Sequence, residues 1–363
     1  MKPKIIAFYL PQFHAIPEND KWWGKGFTEW TNVKKAKPLF RGHDEPRIPY
    51  QQNYYNLLNS ETREWQAALA KKYGVYAFCY YHYWFMGKKL LESPIEEVLK
   101  SKKPDMPFCF SWANESWSRT WYGFQKETLL EQEYGGREDW KKHFEYLLPF
   151  FKDARYIKVD NKPLFLIYKP SKFDQLDSMI ECWNELAIKE GFHGMHIVET
   201  LTATQKESCF EKTEGIVFYE PGYAILHDGF WQKIRININS RLNSFISRFS
   251  KRLFLLNKMN YERINKGILK RNLSRFKKKV YLGSFVSYDD TPRKNHRGII
   301  FDRVNPKSFE KHLTSSLNKS EKIKSPFLFL TAWNEWAEGA YLEPDEKSGY
   351  DFLEAISRAN RNS

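Results

Sequence analysis

Eight short apolar segments recur along the chain, and they alternate with segments whose apolar residues have the spacing of a helix. The apolar segments span residues 4–10, 75–81, 107–112, 163–168, 195–200, 215–220, 280–286 and 326–333. Their hydrophobicity is continuous rather than alternating, which is typical of strands buried on both faces of a parallel sheet. The helical segments span residues 61–73, 93–102, 137–152, 174–190, 305–322 and 348–360. In a chain of 363 residues, this alternation predicts a (β/α)8 TIM-type barrel with long loops at the carboxyl ends of its strands.

The main alternative is a doubly wound α/β sheet, in which the first strand leads into a glycine-rich turn that binds phosphate. Here the first apolar segment leads into LPQFHAIPEND, which contains no glycine. No repeat of fixed period and no Gly/Ser-rich linker divides the sequence. We therefore expect a single catalytic domain over residues 1–363, with its active site at the carboxyl ends of the strands.

Positive charge is concentrated in one part of the chain. The formal net charge is +14, and residues 227–279 contain fifteen Lys or Arg against Asp228 and Glu262. This distribution argues against a nucleic-acid-binding fold and predicts a basic, mostly helical insertion at 223–279. Apolar residues at helical spacing beside these charges predict peripheral contact with an anionic membrane, the alternative being an extra helix packed on the barrel. The residues concerned are Ile238, Leu242, Phe245, Ile246, Phe249 and Leu253, with Arg241, Arg248, Lys251 and Arg252.

The amino-terminal residues and the cysteines indicate a cytoplasmic protein. The apolar run from Ile5 to Leu10 ends at Pro11 and is shorter than the apolar region of a signal peptide. The four cysteines are far apart, so neither a zinc site nor a disulfide framework is predicted. His14 and His82 have no third ligand at a suitable spacing, and we expect no metal and no cofactor. A peripheral position at the inner membrane is the variant that the basic insertion suggests.

Aromatic and polar residues are enriched directly after the predicted strands, where a barrel has its active site. A pyranose has apolar C–H faces that stack on aromatic rings and hydroxyls that bind short polar side chains, so we predict an oligosaccharide or polysaccharide site. The alternative for any one tryptophan is packing beneath a long loop, and Asp289 is equally suited to beginning a Thr–Pro turn. The candidate substrate-binding residues are Gln12, His14, Trp22, Trp23, Glu29, Trp30, Tyr81, His82, Trp84, Trp112, Asn114, Glu115, Tyr219, Tyr288, Asp289, Trp333, Asn334 and Trp336.

The segment TAWNEWAEGAYLEP at 331–344 places Glu335 and Glu338 three residues apart at the end of the last predicted strand. On a helical turn, residues at this spacing lie close together on one face. Two neighbouring carboxyl groups are the usual equipment for cleaving a glycosidic bond. Trp333 and Trp336 are placed to desolvate one carboxyl group and raise its pKa, as a general acid requires. We therefore predict that Glu335 and Glu338 are the catalytic pair.

Several stretches of the chain resemble a known family. IIAFYLPQFH, GFTEWTNV, YGVYAFCYYHYWF, PFCFSWANESW and AWNEWAEGAYLEP are similar to WbsX-type, family-99-like glycoside hydrolase proteins of bacterial O-antigen and capsule biosynthesis. The resemblance implies a (β/α)8 barrel related to endo-α-mannosidases, which retain configuration without a metal. It also implies that Glu335 assists the 2-hydroxyl of the substrate as a base, while Glu338 acts as general acid and base.

Residues 223–279 do not match the related enzymes, which leaves the substrate and the direction of the reaction open. The leading hypothesis is an endo-acting glycoside hydrolase or transglycosylase that acts on a mannose-like surface polysaccharide or its lipid-linked intermediate. The alternatives are a glycosyltransferase of O-antigen or capsule assembly, and a catalytically silent glycan-binding protein. No DxD pair and no glycine-rich phosphate loop occurs in the sequence, and both absences count against a metal-dependent sugar-nucleotide transferase.

Overall fold

The computed structural model describes residues 2–118, 127–246 and 254–363. Eight parallel strands form a closed barrel in which each strand pairs with the next and the last pairs with the first. They are β1 (Lys4–Tyr9), β2 (Val75–Phe85), β3 (Phe108–Trp112), β4 (Lys162–Ile167), β5 (His196–Leu201), β6 (Gly215–Phe218), β7 (Lys279–Phe285) and β8 (Phe327–Thr331). All eight predicted strands are present, and the predicted (β/α)8 barrel is confirmed.

Helices cover the outside of the barrel and fill the loops at its carboxyl end. They are α1 (Pro17–Trp23), α2 (Glu29–Lys35), α3 (Ser60–Tyr73), α4 (Ser93–Ser101), α5 (Arg137–Lys152), α6 (Leu176–Lys189), α7 (Phe230–Ile246), α8 (Tyr261–Lys270), α9 (Thr291–Lys294), α10 (Pro306–Lys322) and α11 (Asp351–Asn362). Local sequence sets their ends. Asn305 caps α10 by accepting a hydrogen bond from the Ser308 amide, and α3 ends at Gly74, whose φ of 91° turns the chain directly into β2.

Short strands outside the barrel shape the loops. Lys88–Leu90 pairs with the end of β2, Trp117–Ser118 with Thr128–Leu130, Lys158–Val159 with β4, Asn257–Asn260 with Ile299–Asp302, and Asn334–Glu335 with Ala340–Tyr341. The pair at Asn334–Glu335 matters for function because it fixes the backbone immediately after β8.

The β6–β7 connection contains the basic segment, and its two long helices differ in burial. In α8, Tyr261 is fully buried and packs on Phe285 of β7, with ring centroids 5.0 Å apart, so α8 belongs to the helical shell. In α7, Ile238, Leu242 and Phe245 are 50%, 44% and 58% exposed. Within the described residues, the segment thus contains α7, with several exposed apolar residues, and the buried helix α8.

Only some of the residues on which the membrane prediction depends are described by the structure. Arg248, Phe249, Lys251, Arg252 and Leu253 lie outside the described residues. Within the described part, no helix is both long and apolar enough to cross a bilayer. Contact with an anionic membrane therefore stays a prediction that rests on the exposed apolar face of α7.

Candidate active site

A cleft of about 390 Å³ opens at the carboxyl end of the barrel. Its walls are formed by Tyr81 and Tyr83 near the end of β2 and by residues that follow β1, β3, β4, β6, β7 and β8. Its lining residues are Leu10, Gln12, Trp23, Tyr81, Tyr83, Ala113, Glu115, Ser116, Trp117, Ser118, Leu129, Tyr168, Tyr219, Arg293, Glu335 and Glu338. The cleft therefore combines aromatic rings with three carboxyl groups and one guanidinium group.

Three tyrosines join the cleft to the packed interior of the barrel. The hydroxyl groups of Tyr81 and Tyr219 are hydrogen-bonded at 2.7 Å, and the ring of Tyr168 packs edge-on against Tyr219. Beneath them, the buried ring of Phe8 stacks on Tyr81 at 5.8 Å and packs on Tyr219 at 5.2 Å. Because Phe8 is fully buried, these contacts hold the tyrosine rings in fixed positions at the base of the cleft.

The segment after β8 presents the two predicted catalytic glutamates. Glu335 ends a short strand, and Trp336–Glu338 forms a single 3-10 turn, in which residues at i and i+3 eclipse each other. Gly339 then adopts a left-handed conformation, with φ of 56°, and a Cβ atom there would lie 2.6 Å from the Arg47 guanidinium. Glycine is thus required for both backbone and space at this position.

Arg293 of α9 joins three carboxyl groups at this site. Its guanidinium forms ion pairs with Glu29 and Glu338, and its Nη2 lies 3.3 Å from Oε2 of Glu335. The Arg293 side chain is only 11% exposed, and those of Glu29 and Glu335 are 0% and 6% exposed. One cation thus faces three carboxyl groups in a largely dry environment, where full ionisation of all three is unfavourable.

This environment keeps a proton at the site. Burial, followed by the charge of Glu338, raises the pKa of Glu335 to about 8, against the lowering effect of Arg293. Burial also raises the pKa of Glu29, although Arg293 again acts in the opposite direction. At neutral pH, Glu335 in the free site is therefore mainly the neutral acid. A modest rise in pH ionises it.

The structure brings seven of the predicted site residues to the cleft wall. They are Gln12, Trp23, Tyr81, Glu115, Tyr219, Glu335 and Glu338. Trp22 lies beside them, with its ring 5.6 Å from that of the cleft residue Trp117. Glu29 reaches the site through Arg293 rather than through the cleft surface.

Three of the predicted tryptophans belong to the packing beneath the loops. Trp30 donates from Nε1 to the Tyr55 carbonyl at 2.9 Å, and its ring packs on Trp336. Trp333 and Trp336 donate from Nε1 to the two oxygens of Glu343, at 3.0 and 2.7 Å. The N–H groups of both rings thus bind Glu343, a carboxyl group outside the predicted catalytic pair. Burial raises the pKa of Glu343 to about 7.

A second aromatic group from the prediction packs against α5 and is absent from the cleft lining. His82 is hydrogen-bonded to His143 of α5 at 2.8 Å, and Trp84 stacks on His143 at 4.5 Å. The indole of Trp112 packs edge-on against the same imidazole. Burial lowers the pKa of His82 to about 3, so this pair is neutral at physiological pH. These three residues therefore stabilise the β2–β3–α5 packing.

Three further predicted residues hold loops in place. His14 is buried, and its Nδ1 atom lies 3.0 Å from the Pro11 carbonyl. Asn114 accepts from the Lys169 amide and donates to the Lys169 carbonyl, which joins the loops after β3 and β4. Asn334 makes the same two-way contact with the backbone of Leu10 and so fixes the end of β8 against the end of β1.

Asp289 and Tyr288 also lie outside the cleft wall. Asp289 accepts from the Thr291 amide and hydroxyl, so it begins the Thr–Pro turn, which was one of the two predicted alternatives. Its own amide donates to the Glu338 carbonyl at 2.6 Å. Tyr288 donates to Asp290 at 3.1 Å. Both residues therefore position the α9 turn beside the glutamates.

Among the described residues, one group has the composition of a metal site: His43, Glu45 and Asp289, whose ligand atoms lie within 4.8 Å of one another. Nδ1 of His43 accepts from the Leu39 amide, so Nε2 carries the proton that is donated to Asp289 at 2.8 Å. Arg47 lies 3.3 Å from Glu45 and 3.6 Å from Asp289. These donors do not fit a cation, since the imidazole presents a hydrogen and Arg47 already supplies positive charge.

Four residues that line the cleft are absent from the predicted site residues, namely Arg293, Tyr83, Tyr168 and Trp117. Tyr83, Tyr168 and Trp117 follow or end barrel strands and carry the same aromatic signal as the residues that were selected. Arg293 lies in TPRKNHRG, a polar stretch with no motif of its own. Its partner Glu29 is 264 positions away in the sequence, so only the closed barrel reveals the contact.

Comparisons with known proteins agree with this geometry. Among solved structures, a glycoside hydrolase-like protein superposes with a TM-score of 0.61 at 13% identity, covering 99% of this chain and 94% of that protein. The family 99 endo-α-mannosidase of Bacteroides thetaiotaomicron superposes with a TM-score of 0.57 at 13% identity, covering 98% and 96%. At these identities the likeness shows a shared barrel fold.

Sequence comparison places the chain in a family. Two curated relatives from Xanthomonas campestris pv. campestris, strains B100 and ATCC 33913, are each described as uncharacterized protein WxcX and are 32% identical over 359 residues. The match covers 98% of this chain and 49% of each relative, so the chain spans about half of their length. The family model described as glycosyltransferase WbsX matches residues 5–356. The chain therefore belongs to the WbsX family.

Proposed function

We propose that this protein is an endo-acting glycoside hydrolase or transglycosylase that uses Glu335 and Glu338 as its catalytic pair. The observation that carries the proposal is the position of both glutamates in one aromatic cleft, where Arg293 contacts both. The likeness of the fold to a family 99 endo-α-mannosidase supports a mannose-like polymer or its lipid-linked intermediate as the substrate.

Cleavage of a glycosidic bond requires a proton for the departing oxygen and a base for the attacking group. In the proposed first step, Glu335 removes the proton of the 2-hydroxyl, whose oxygen bonds to the anomeric carbon, while Glu338 protonates the leaving oxygen. In the second step, the oxygen of water or of an acceptor hydroxyl bonds to the anomeric carbon while the bond between that carbon and the 2-oxygen breaks. Glu338 takes the proton of the incoming group, and Glu335 returns its proton to the 2-oxygen. Two displacements at the same carbon retain its configuration, and no metal is needed.

The surroundings of each glutamate support this division. Glu335 is buried, and its raised pKa makes its ionised form a stronger base than an ordinary carboxylate. Glu338 is 21% exposed, which gives it access to an incoming water or hydroxyl group. Arg293 is placed to balance the charge of the pair as protons move between the glutamates and the substrate.

Glutamine variants assayed on two substrates test the proposal. On α-mannan, whose leaving group is a poor one, Glu338→Gln should lose at least about 100-fold in kcat/KM, because general acid help is worth roughly 10² to 10⁴. On a nitrophenyl α-mannobioside, whose leaving group needs little protonation, most of kcat/KM should remain, whereas kcat should fall because Glu338 is also the base of the second step. Glu335→Gln should impair both substrates. Wild-type-like activity of either variant on α-mannan contradicts the assignment.

A glycosyltransferase of polysaccharide assembly is the second candidate, and the description of the matching family model favours it. The two reactions differ in donor and acceptor. The unmodified protein should release reducing ends from α-mannan or transfer mannosyl units between oligosaccharides. A protein that acts only on a nucleotide-activated sugar would support the transferase, and glycan binding without turnover by either route would indicate a binding protein.

A further inference from the structure

A second groove lies between the loop after β1 and the loop after β8, outside the cleft described above. Its volume is about 530 Å³. Four aromatic side chains line it, namely Tyr50, Tyr54, Trp65 and Tyr350, together with consecutive amide side chains at positions 51–53. We propose that this groove is an additional binding site for a neutral glycan strand. This proposal rests on the proposed function, because it specifies the class of substrate further.

The aromatic side chains present usable surface rather than core packing. All four residues are half-buried, and Lys34 covers one face of the Tyr54 ring, with its Nζ atom 3.9 Å from the ring centroid. Tyr350 packs edge-on against Tyr50 at 5.4 Å and stacks on Tyr73 at 6.3 Å, while Trp65 packs on Tyr55 at 6.5 Å. The rings are thus supported from behind. Supported, partly exposed rings suit the C–H face of a sugar, because little conformational entropy is lost on binding.

The polar part of the groove selects a neutral, hydroxyl-rich partner. The lining contains only aromatic and amide side chains, with no charged residue among them. An amide side chain both donates and accepts, which matches neighbouring sugar hydroxyls. A phosphate or an anionic lipid requires cations that this lining does not offer. The chemistry therefore indicates a neutral polysaccharide strand.

The backbone that carries the amides is held in an unfavourable conformation. Gln51 and Gln52 both lie in the left-handed region, with φ of 55° and 53°. The amide of Gln51 donates to Glu346 at 2.6 Å, and that of Gln52 donates to the Pro49 carbonyl at 2.8 Å. Two successive non-glycine residues in this region cost of the order of 1–3 kcal/mol each. Such strain typically accompanies a functional constraint, here the presentation of the amides beside the rings.

The position of the groove suits a long substrate. Its residues follow β1 and β8, the strands whose loops also carry Gln12 and both catalytic glutamates. The loop that carries Tyr50 is joined to the segment after β8, because the Tyr50 amide donates to the Pro344 carbonyl at 2.9 Å. A polymer held at both places would gain affinity through effective concentration, whereas a short oligosaccharide would use the cleft alone.

The experiment measures binding and turnover separately. Binding of α-mannan, dextran and a soluble β-glucan is measured by affinity electrophoresis in a Glu338→Gln background, which limits cleavage. We expect retardation by at least one of these neutral polymers. Trp65→Ala and Gln52→Gly should each weaken it at least about fivefold. Trp65→Phe, which keeps a ring, should restore part of the affinity. Gln52→Gly keeps the left-handed backbone without strain, so its thermal stability should not fall.

The outcomes separate this proposal from the proposed function. Polymer binding that survives both groove substitutions but is lost in Trp23→Ala, a cleft variant, overturns the groove proposal. Absence of retardation by all three polymers overturns it as well. Groove-dependent binding without turnover of any glycan by the unmodified protein would instead overturn the proposed enzymatic function while leaving the groove assignment in place.

Discussion

The most specific prediction concerns the proton on Glu335. Burial and the charge of Glu338 raise its pKa to about 8. If Glu335 acts as a base, only its ionised form is active, and at pH 7 this is about one molecule in ten. The value of kcat/KM should therefore rise about tenfold from pH 6 to pH 7, rise about fivefold from pH 7 to pH 8, and level off above pH 9.

The variant that tests this pKa is Glu338→Gln. It removes the carboxylate that, after burial, makes the largest contribution to raising the pKa of Glu335. The rising limb should then move to lower pH, while Glu335→Gln should abolish the limb. The assay is kcat/KM on nitrophenyl α-mannobioside between pH 5 and 9.5, because kcat/KM reports the groups of the free enzyme and the nitrophenyl group leaves without general acid help.

Two results would refute this reasoning. A falling limb near pH 8 would mean that Glu335 must be protonated for activity, and the roles of the two glutamates would be exchanged. A limb that keeps its position in Glu338→Gln would mean that the two carboxyl groups do not interact electrostatically. A protein that is inactive at every pH in its unmodified form would contradict the proposed function itself.

Three further predictions concern other parts of the structure. Arg293→Met should raise the pKa of Glu335 further, so kcat/KM should fall at pH 7, and the melting temperature should drop more at pH 8 than at pH 5, where Glu335 is protonated. Glu343→Gln should lower the free energy of unfolding by about 2 kcal/mol or more. Glu343 accepts hydrogen bonds from the buried N–H and O–H groups of Trp333, Trp336, Gln66 and Tyr55, and an amide would turn a donor toward them. Thermal melts with Glu346→Gln as the conservative control test this. Co-sedimentation with anionic vesicles should be salt-sensitive and should weaken in Phe245→Ser, whereas equal recovery at low and high salt would mean that α7 is only a helix of the insertion.

The sequence could predict the barrel because each strand carries its own signal. Continuous hydrophobicity marks a strand that is buried on both faces, and this property needs no knowledge of the partner strands. The same reasoning locates Glu335 and Glu338, because their position directly after β8 follows from the strand itself. Features that depend on one segment and its immediate neighbours in the sequence could therefore be predicted.

The residues that form the wall of the cleft could be predicted only in part from the sequence, for a physical reason. A tryptophan after a strand can face the cleft, as Trp23 does, or turn its N–H toward a buried acceptor, as Trp333 does toward Glu343. The sequence does not show which acceptor is in reach, because Glu343 becomes one only when the loop folds back over β8. Arg293 was missed for the same reason, since its role depends on carboxyl groups contributed by two other segments, one carrying Glu29 and one carrying Glu335 and Glu338.

The description of the family as glycosyltransferases and the glycosidase-like fold are compatible at the level of this site. In the second step proposed above, Glu338 removes a proton from whichever hydroxyl group is placed against the anomeric carbon. The same two glutamates and Arg293 therefore serve water and a sugar acceptor alike, and the outcome depends on which of them occupies the cleft. A glycan strand long enough to reach the cleft from the groove lined by Trp65 and Tyr350 would raise the local concentration of acceptor in the cleft. Under the proposed mechanism, the choice between hydrolysis and transfer therefore lies in acceptor binding, outside the two glutamates.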